Sequence, residues 1–240
     1  MRPRLYVVPA SHPCAAAEHA LRLKGFEYAV TELPPGLHAA HQRLRFGRRT
    51  VPALTADGAK VSGSREIMRW LEQRRPEPAL WPADAAARAA VEEAERWGDE
   101  VLQPLVRRVI WLALRRRPDA MPSYLAKSRL PVPAWAARLS GPVTAVVEWR
   151  LNAVSEQAVR ADVAALPGRL ERVDRWVEDG VLLAGETPNA ADLQIGASLA
   201  LLRTLGDLAP AIDASRGAEL ARRWFPDYPG SVPAGTLPAA

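Results

Sequence analysis

The chain is nearly without cysteine. Cys14 stands alone among 240 residues, which excludes an intrachain disulfide, and nothing has the ligand spacing of a zinc site. Long apolar runs are missing too, and no stretch approaches the roughly 18 residues of a membrane-spanning helix. The run after Met1-Arg2-Pro3-Arg4 breaks at Pro9 and Ser11, too short for a secretory leader, so a cytoplasmic protein is expected. Lysine is scarce: beside Lys24, Lys60 and Lys127, arginine supplies the positive charge behind the net +5. Those arginines lie among acids such as Glu92, Glu93, Glu95, Asp99 and Glu100, and no nucleic-acid motif accompanies them. The excess therefore reads as genomic base composition, with no nucleic-acid and no membrane partner expected. His38 and His41 have helical spacing but no third ligand, so no metal is expected either.

What is present begins with Leu5-Tyr6-Val7-Val8, a β-branched and aromatic run that reads as a buried strand. Ala15 to Lys24 reads as a helix, with Gly25 suited to a left-handed cap. Ser11-His12-Pro13-Cys14 thus sits where a strand hands over to a helix N-terminus. Free N–H groups and the positive end of the helix dipole gather there, and both favour a thiolate. The layout resembles that of the active pair in thioredoxin-like proteins, with Ser11 in place of the first cysteine.

Tyr28 to Leu33 reads as a second strand ended by Pro34-Pro35-Gly36, and the segment holding His38 and His41 is poorly defined. Val51 to Leu54 and Ala59 to Ser62 read as a hairpin across Asp57-Gly58, and Ser64 to Arg74 as a helix capped by Ser64. The order is that of a small thioredoxin-type α/β unit over residues 1–76, followed by a linker at 77–84. An all-helical part is expected over 85–225, with a Pro/Gly/Ala-rich tail at 226–240 lying loosely over the surface. Its helices are placed at about Ala85 to Arg116, kinked or broken at Pro104, then Val143 to Val159, Leu166 to Val177, Asn189 to Leu205 and Ala214 to Trp224. Pro118 to Pro142 reads as loops around at most a short helix.

An α/β unit of this size before an all-helical half resembles the soluble glutathione S-transferase fold, and three motifs support the resemblance. Thr50-Val51-Pro52-Ala53-Leu54 resembles the family's turn with a cis proline, which implies that the Val51 backbone faces a ligand's cysteinyl amide. Gly63-Ser64-Arg65-Glu66-Ile67 is similar to the motif that binds a γ-glutamyl group at a helix N-terminus, although the usual acidic residue before Ser64 is glycine. Leu183 to Leu193 resembles the capping box of the buried helix, with Asn189 as N-cap and Asp192 at N3.

The resemblance implies a transferase that activates glutathione or another low-molecular-weight thiol for attack on a largely apolar electrophile. Ser11 would donate a hydrogen bond to the thiol sulfur and lower its pKa. Thiol binding would involve Val51, Pro52, Ser64, Arg65 and Glu66, with Arg48 or Arg49 for a carboxylate. The electrophile's pocket would be lined by His12, Arg107, Arg108, Trp111 and Arg115, between the two parts. A homodimer and a detoxifying role are implied in the same way. Two alternatives stay open: a thiol-disulfide or deglutathionylating reductase with Cys14 as nucleophile, and a non-catalytic binding protein that keeps the fold.

Overall fold

The computed structural model describes residues 2–130 and 133–238. Four short strands form one sheet: β1 (Arg4–Val7), β2 (Ala29–Glu32), β3 (Ala53–Ala56) and β4 (Ala59–Ser62), in the order β2-β1-β3-β4. β1 runs parallel to β2 and antiparallel to β3, with Leu5 opposite Val30 on one side and Leu54 on the other. Leu5 and Leu54 are fully buried, as a central strand requires. The parallel step from β1 to β2 needs a crossover, supplied by α1 (His12–Leu23). This helix stops at Gly25, whose φ of +65° suits glycine, while Phe26 N–H closes back onto the Leu21 carbonyl at 3.0 Å.

The segment with His38 and His41, expected to be poorly defined, is a helix, α2 (His38–Phe46), closed by Gly47 in the left-handed region. β3 and β4 turn through Asp57-Gly58, and α3 (Ser64–Arg74) packs with α1 on the sheet. Beyond residue 84 the secondary structure is helical. α4 (Ala85–Trp97) is capped by Asp84, whose carboxylate accepts from Ala87 N–H at 2.8 Å. A π-helical segment, Gly98–Leu102, joins it to α5 (Gln103–Arg116), so the expected break falls ahead of Pro104, which sits in the first turn of α5.

The region expected to be looped holds more helix than its prolines imply. A 3-10 turn at Pro118–Ala120 runs into α6 (Met121–Tyr124), and α7 (Ala134–Leu151) contains Pro142 in its interior. The helix expected across 143–159 is two helices. Ala153 takes a φ of +49° after Asn152, and Ser155 caps α8 (Glu156–Ala164) by accepting from Ala158 N–H at 3.1 Å. α9 (Leu166–Glu178) has its proline near the start, where a missing N–H costs nothing. α10 (Ala190–Arg203) is buried on every side down to Leu202. Asn189 and Asp192 form the expected reciprocal capping box, each accepting from the other's backbone N–H at 2.9 Å. α11 (Ala209–Ala214) and α12 (Ala218–Trp224) complete the bundle, with α12 and α1 packed on α10.

The two parts are bolted together by polar groups. Glu95, fully buried, receives both guanidinium nitrogens of Arg69 at 3.0 and 2.9 Å and lies 3.4 Å from Arg65 Nε. Within the α/β unit, Lys24, also buried, donates to Glu72 and to the carbonyls of Arg75 and Pro76 at 2.8 and 2.9 Å. The tail is not loose. Val232 forms a parallel bridge with Leu205 and is 2% exposed, Asp207 accepts from three tail N–H groups, and the Tyr228 hydroxyl donates to the Ala10 carbonyl at 2.7 Å. Residues 239 and 240 of the expected tail lie outside the described residues. No helix of the described residues is long and apolar enough to cross a membrane.

Candidate active site

The turn from β1 to α1 forms one lip of a cleft of about 150 Å³ between the sheet side and α5–α7. Ala10 has a φ of +52°, and Ser11 follows as the N-cap residue of α1 with extended backbone. Serine at this position ordinarily caps the helix through its hydroxyl. Here the side chain makes no capping bond, and Ser11 lines the cleft. No acidic residue occupies the first turn of α1, so the positive end of the helix is not neutralised by its own side chains. A hydroxyl donor and a helix N-terminus thus meet at one point of the cleft wall.

The Cys14 thiol has the opposite environment. It is 3% exposed, and burial pushes it up to about 12, with Glu18 and Glu32 acting in the same sense. Hydrogen bonding to Ser11 and the Val8 backbone opposes this without overcoming it.

Of the expected thiol-binding residues, Arg49 and Val51 line the same cleft as Ser11, and the Val51–Pro52 bond is cis. Pro52 itself is buried, and its carbonyl accepts from Gly63 N–H at 2.9 Å. Arg48 is exposed and is not among the residues lining the cleft. Ser64, Arg65 and Glu66 do not line it either. The Ser64 hydroxyl is buried and donates to Gln194 Oε1 of α10 at 3.0 Å, Arg65 pairs with Glu95, and Glu66 is exposed. Gly63 has a φ of +100°, a backbone conformation that an acidic side chain would strain. That gives the departure from the family's pattern a local physical reason.

The cleft is further lined by His12 of α1 and by Arg107 and Trp111 of α5, with Ile110, Leu114 and Tyr124 supplying apolar surface. His12 is buried with its Nε2 unpartnered, and burial together with Arg107 holds the imidazole well below its usual pKa, so it is neutral. Burial also lowers Arg107. Arg108 and Arg115 are not brought to the cleft. Arg108 is held in a two-bond pair by Asp162 at 2.7 and 2.9 Å, and Arg115 lies over the Trp149 ring at 4.3 Å. A helix turns neighbouring side chains about 100° apart, so Arg107 and Arg108 had to part company.

His38 and Glu148 were not expected in the site. His38, from the segment expected to be poorly defined, has its Nδ1 3.4 Å from Glu148 Oε1 of α7, and both line the cleft. Burial raises Glu148, while Gly36 N–H at 2.6 Å and Asn152 Nδ2 at 3.2 Å favour its ionised form. Nothing in the sequence signalled this pair, because α7 begins in the stretch that its prolines made unreadable. Among the described residues, no group of three or more His, Cys, Asp or Glu side chains is placed to hold a metal ion.

Residues 5–79 match the family model of the glutathione S-transferase N-terminal domain. No curated protein sequence matches the chain. Among solved structures, the β-etherase LigF from Sphingobium sp. superposes with a TM-score of 0.68 at 20% identity, covering 94% of either chain. A glutathione S-transferase from Rhodospirillum rubrum gives 0.60 at 22% identity, over 93% of this chain and 86% of the other. FzlA from C. crescentus gives 0.61 at 18% identity, over 100% of this chain and 97% of its own. At such identities the likeness is one of fold, and it extends over both the α/β unit and the helical part.

Proposed function

We propose that this chain, whose N-terminal domain matches that of the glutathione S-transferases and whose fold is similar to theirs over both parts, is a transferase that ionises a small thiol at Ser11. The observation that carries the reading is the Ser11 side chain, which sits in the N-cap position without capping and lines the cleft beside Val51 and Arg49. With glutathione or a similar thiol bound, the Ser11 hydroxyl donates to the sulfur, and the N-terminus of α1 adds its partial positive charge. Both stabilise the thiolate and lower the thiol pKa. The Val51 backbone would pair with the cysteinyl amide, and Arg49 with a carboxylate of the thiol. The thiolate then attacks an electrophilic carbon seated against the apolar wall of Ile110, Trp111 and Leu114. A sulfur–carbon bond forms as the leaving group departs, or a proton is taken up if the electrophile is an activated double bond. A homodimer and a cytoplasmic, detoxifying role accompany the reading by resemblance.

The burial of Cys14 speaks against the reductase alternative, since the thiolate is the reacting form. The non-catalytic alternative has one observation in its favour. Ser64, which would hold the γ-glutamyl group, gives its hydroxyl to Gln194.

Calorimetric titration of glutathione, combined with the thiolate absorbance of the bound thiol against pH, separates these readings. Saturable binding is expected, and Ser11→Ala should raise the pKa of the bound thiol by about one unit or more. No binding at about 10 mM glutathione or cysteine would overturn the transferase reading and favour the non-catalytic one. Binding that is unchanged in both affinity and thiol pKa by Ser11→Ala would remove Ser11 from the chemistry.

A further inference from the structure

We infer that the electrophile accepted by this cleft carries a carboxylate, held by Arg107 beside His12, with its apolar body against Ile110, Trp111 and Leu114. The inference rests on the reading of the cleft as the electrophile's pocket and names the class of compound that enters it. Its basis is the state of Arg107. This guanidinium lines the cleft and is half-buried, yet among the described residues no carboxylate lies within ion-pairing distance and no hydrogen bond engages it.

The neighbouring arginines behave differently. Arg108 is paired with Asp162, and Arg69 with Glu95, each through two bonds. A half-buried cation without a partner in a concave, mostly apolar wall is positioned to receive its counter-charge from a ligand. Asp99 exerts an attraction on Arg107, but its Oδ1 accepts from Gln194 Nε2 at 3.3 Å, and the two do not form an ion pair.

His12 supplies the second, independent observation. Its Nε2 is buried and unpartnered, and the residue lines the same cleft, near enough to Arg107 to feel its charge. An imidazole kept neutral there can donate one N–H to an anion without itself demanding a counter-charge. A guanidinium fork and one ring N–H together match the two oxygens of a carboxylate. The other acid on the cleft, Glu148, is already hydrogen-bonded by Gly36 and Asn152. Arg49 lies exposed toward the thiol end, where the proposed function already employs it.

The test uses the intact protein and two non-reactive ligands of similar shape, 4-phenylbutyrate and 4-phenyl-1-butanol, titrated calorimetrically without thiol. The carboxylate should bind about tenfold more tightly than the alcohol. That preference should fall to within about twofold in Arg107→Gln, return in part in Arg107→Lys and persist in Arg43→Gln, a change at an exposed arginine outside the cleft lining. Thermal melts of the variants show whether they fold. Equal affinities in the wild type overturn the proposal, as does a preference that survives Arg107→Gln or no carboxylate binding at about 5 mM. A parallel glutathione titration of the wild type keeps the two readings apart. Carboxylate preference without glutathione binding would refute the thiol site and leave this inference standing. Glutathione binding without carboxylate preference would refute the inference alone.

Discussion

Iodoacetamide offered to the folded protein should leave Cys14 almost untouched. Alkylation proceeds through the thiolate, so its rate follows the ionised fraction multiplied by access to the sulfur. A cysteine ionising at its ordinary value of 9.0 is about one-tenth thiolate at pH 8, whereas one pushed up to about 12 is ionised in about one molecule in ten thousand. The ratio slows the reaction about a thousandfold before access is counted. Access adds to the slowing, because the residue is 3% exposed in the first turns of a helix packed between the sheet and α10. Mass spectrometry of the carbamidomethyl adduct at pH 8, followed in time for native protein and for protein unfolded in concentrated urea, measures the ratio directly. A native rate within about tenfold of the unfolded rate would refute both the burial argument and its cause. It would also reopen the reductase alternative, which needs Cys14 as thiolate at neutral pH.

Two predictions concern buried carboxylates. Glu95→Ala leaves Arg65 and Arg69 facing each other without their buried carboxylate, a change of about 3–5 kcal/mol, so the melting temperature should fall by about 10 °C; a drop below about 3 °C in scanning fluorimetry would show the clamp to be dispensable. Asp192 is raised from 3.8 to about 6 by burial, against the pull of Leu183 and Asn189 N–H groups. The folded state therefore holds its proton more tightly than the unfolded one, and its contribution is fully present below about pH 4 and lost as pH rises through about 6. Urea midpoints of the wild type measured against Asp192→Asn should thus shift in the variant's favour by about 2–3 kcal/mol between pH 4 and 7, and a pH-independent difference would contradict the assignment.

Much of the fold was legible because its signals are local. Leu5 to Val8, Asp57-Gly58, Gly25 and the Asn189/Asp192 pair act through residues within four positions of one another, and each stands where its own chemistry requires. The π-helical segment at 98–102 was invisible, since hydrophobic spacing continues smoothly through it and only backbone hydrogen bonding distinguishes it. The first part of α7, ahead of Val143, was lost behind prolines, and the break at Ala153 depends on a backbone angle that alanine seldom adopts. In the site, Ser11, His12, Arg49, Val51, Arg107 and Trp111 do converge on one cleft. Ser64 does not, for a reason no motif could reveal: Gln194, which takes its hydroxyl, lies 130 positions further along the chain. Arg108 is likewise removed by an acid 54 positions away. Partners at such separations are chosen by packing, which a local pattern does not encode.

The Tyr228 hydroxyl bond to the Ala10 carbonyl has a consequence for how the protein is made. Ala10 is an alanine held at positive φ immediately ahead of Ser11, a conformation that local chemistry disfavours. Its hydrogen-bond partner stands 218 residues later, in a segment that also clasps Thr204 and Asp207. On the ribosome the sheet and α1 emerge first and can begin to assemble while the helical part is still being synthesised. The turn that aims Ser11 receives its Tyr228 brace only after residue 228 has left the exit tunnel. Until then the nascent chain carries its serine on an unbraced turn, and the geometry of the site awaits the segment that holds Tyr228.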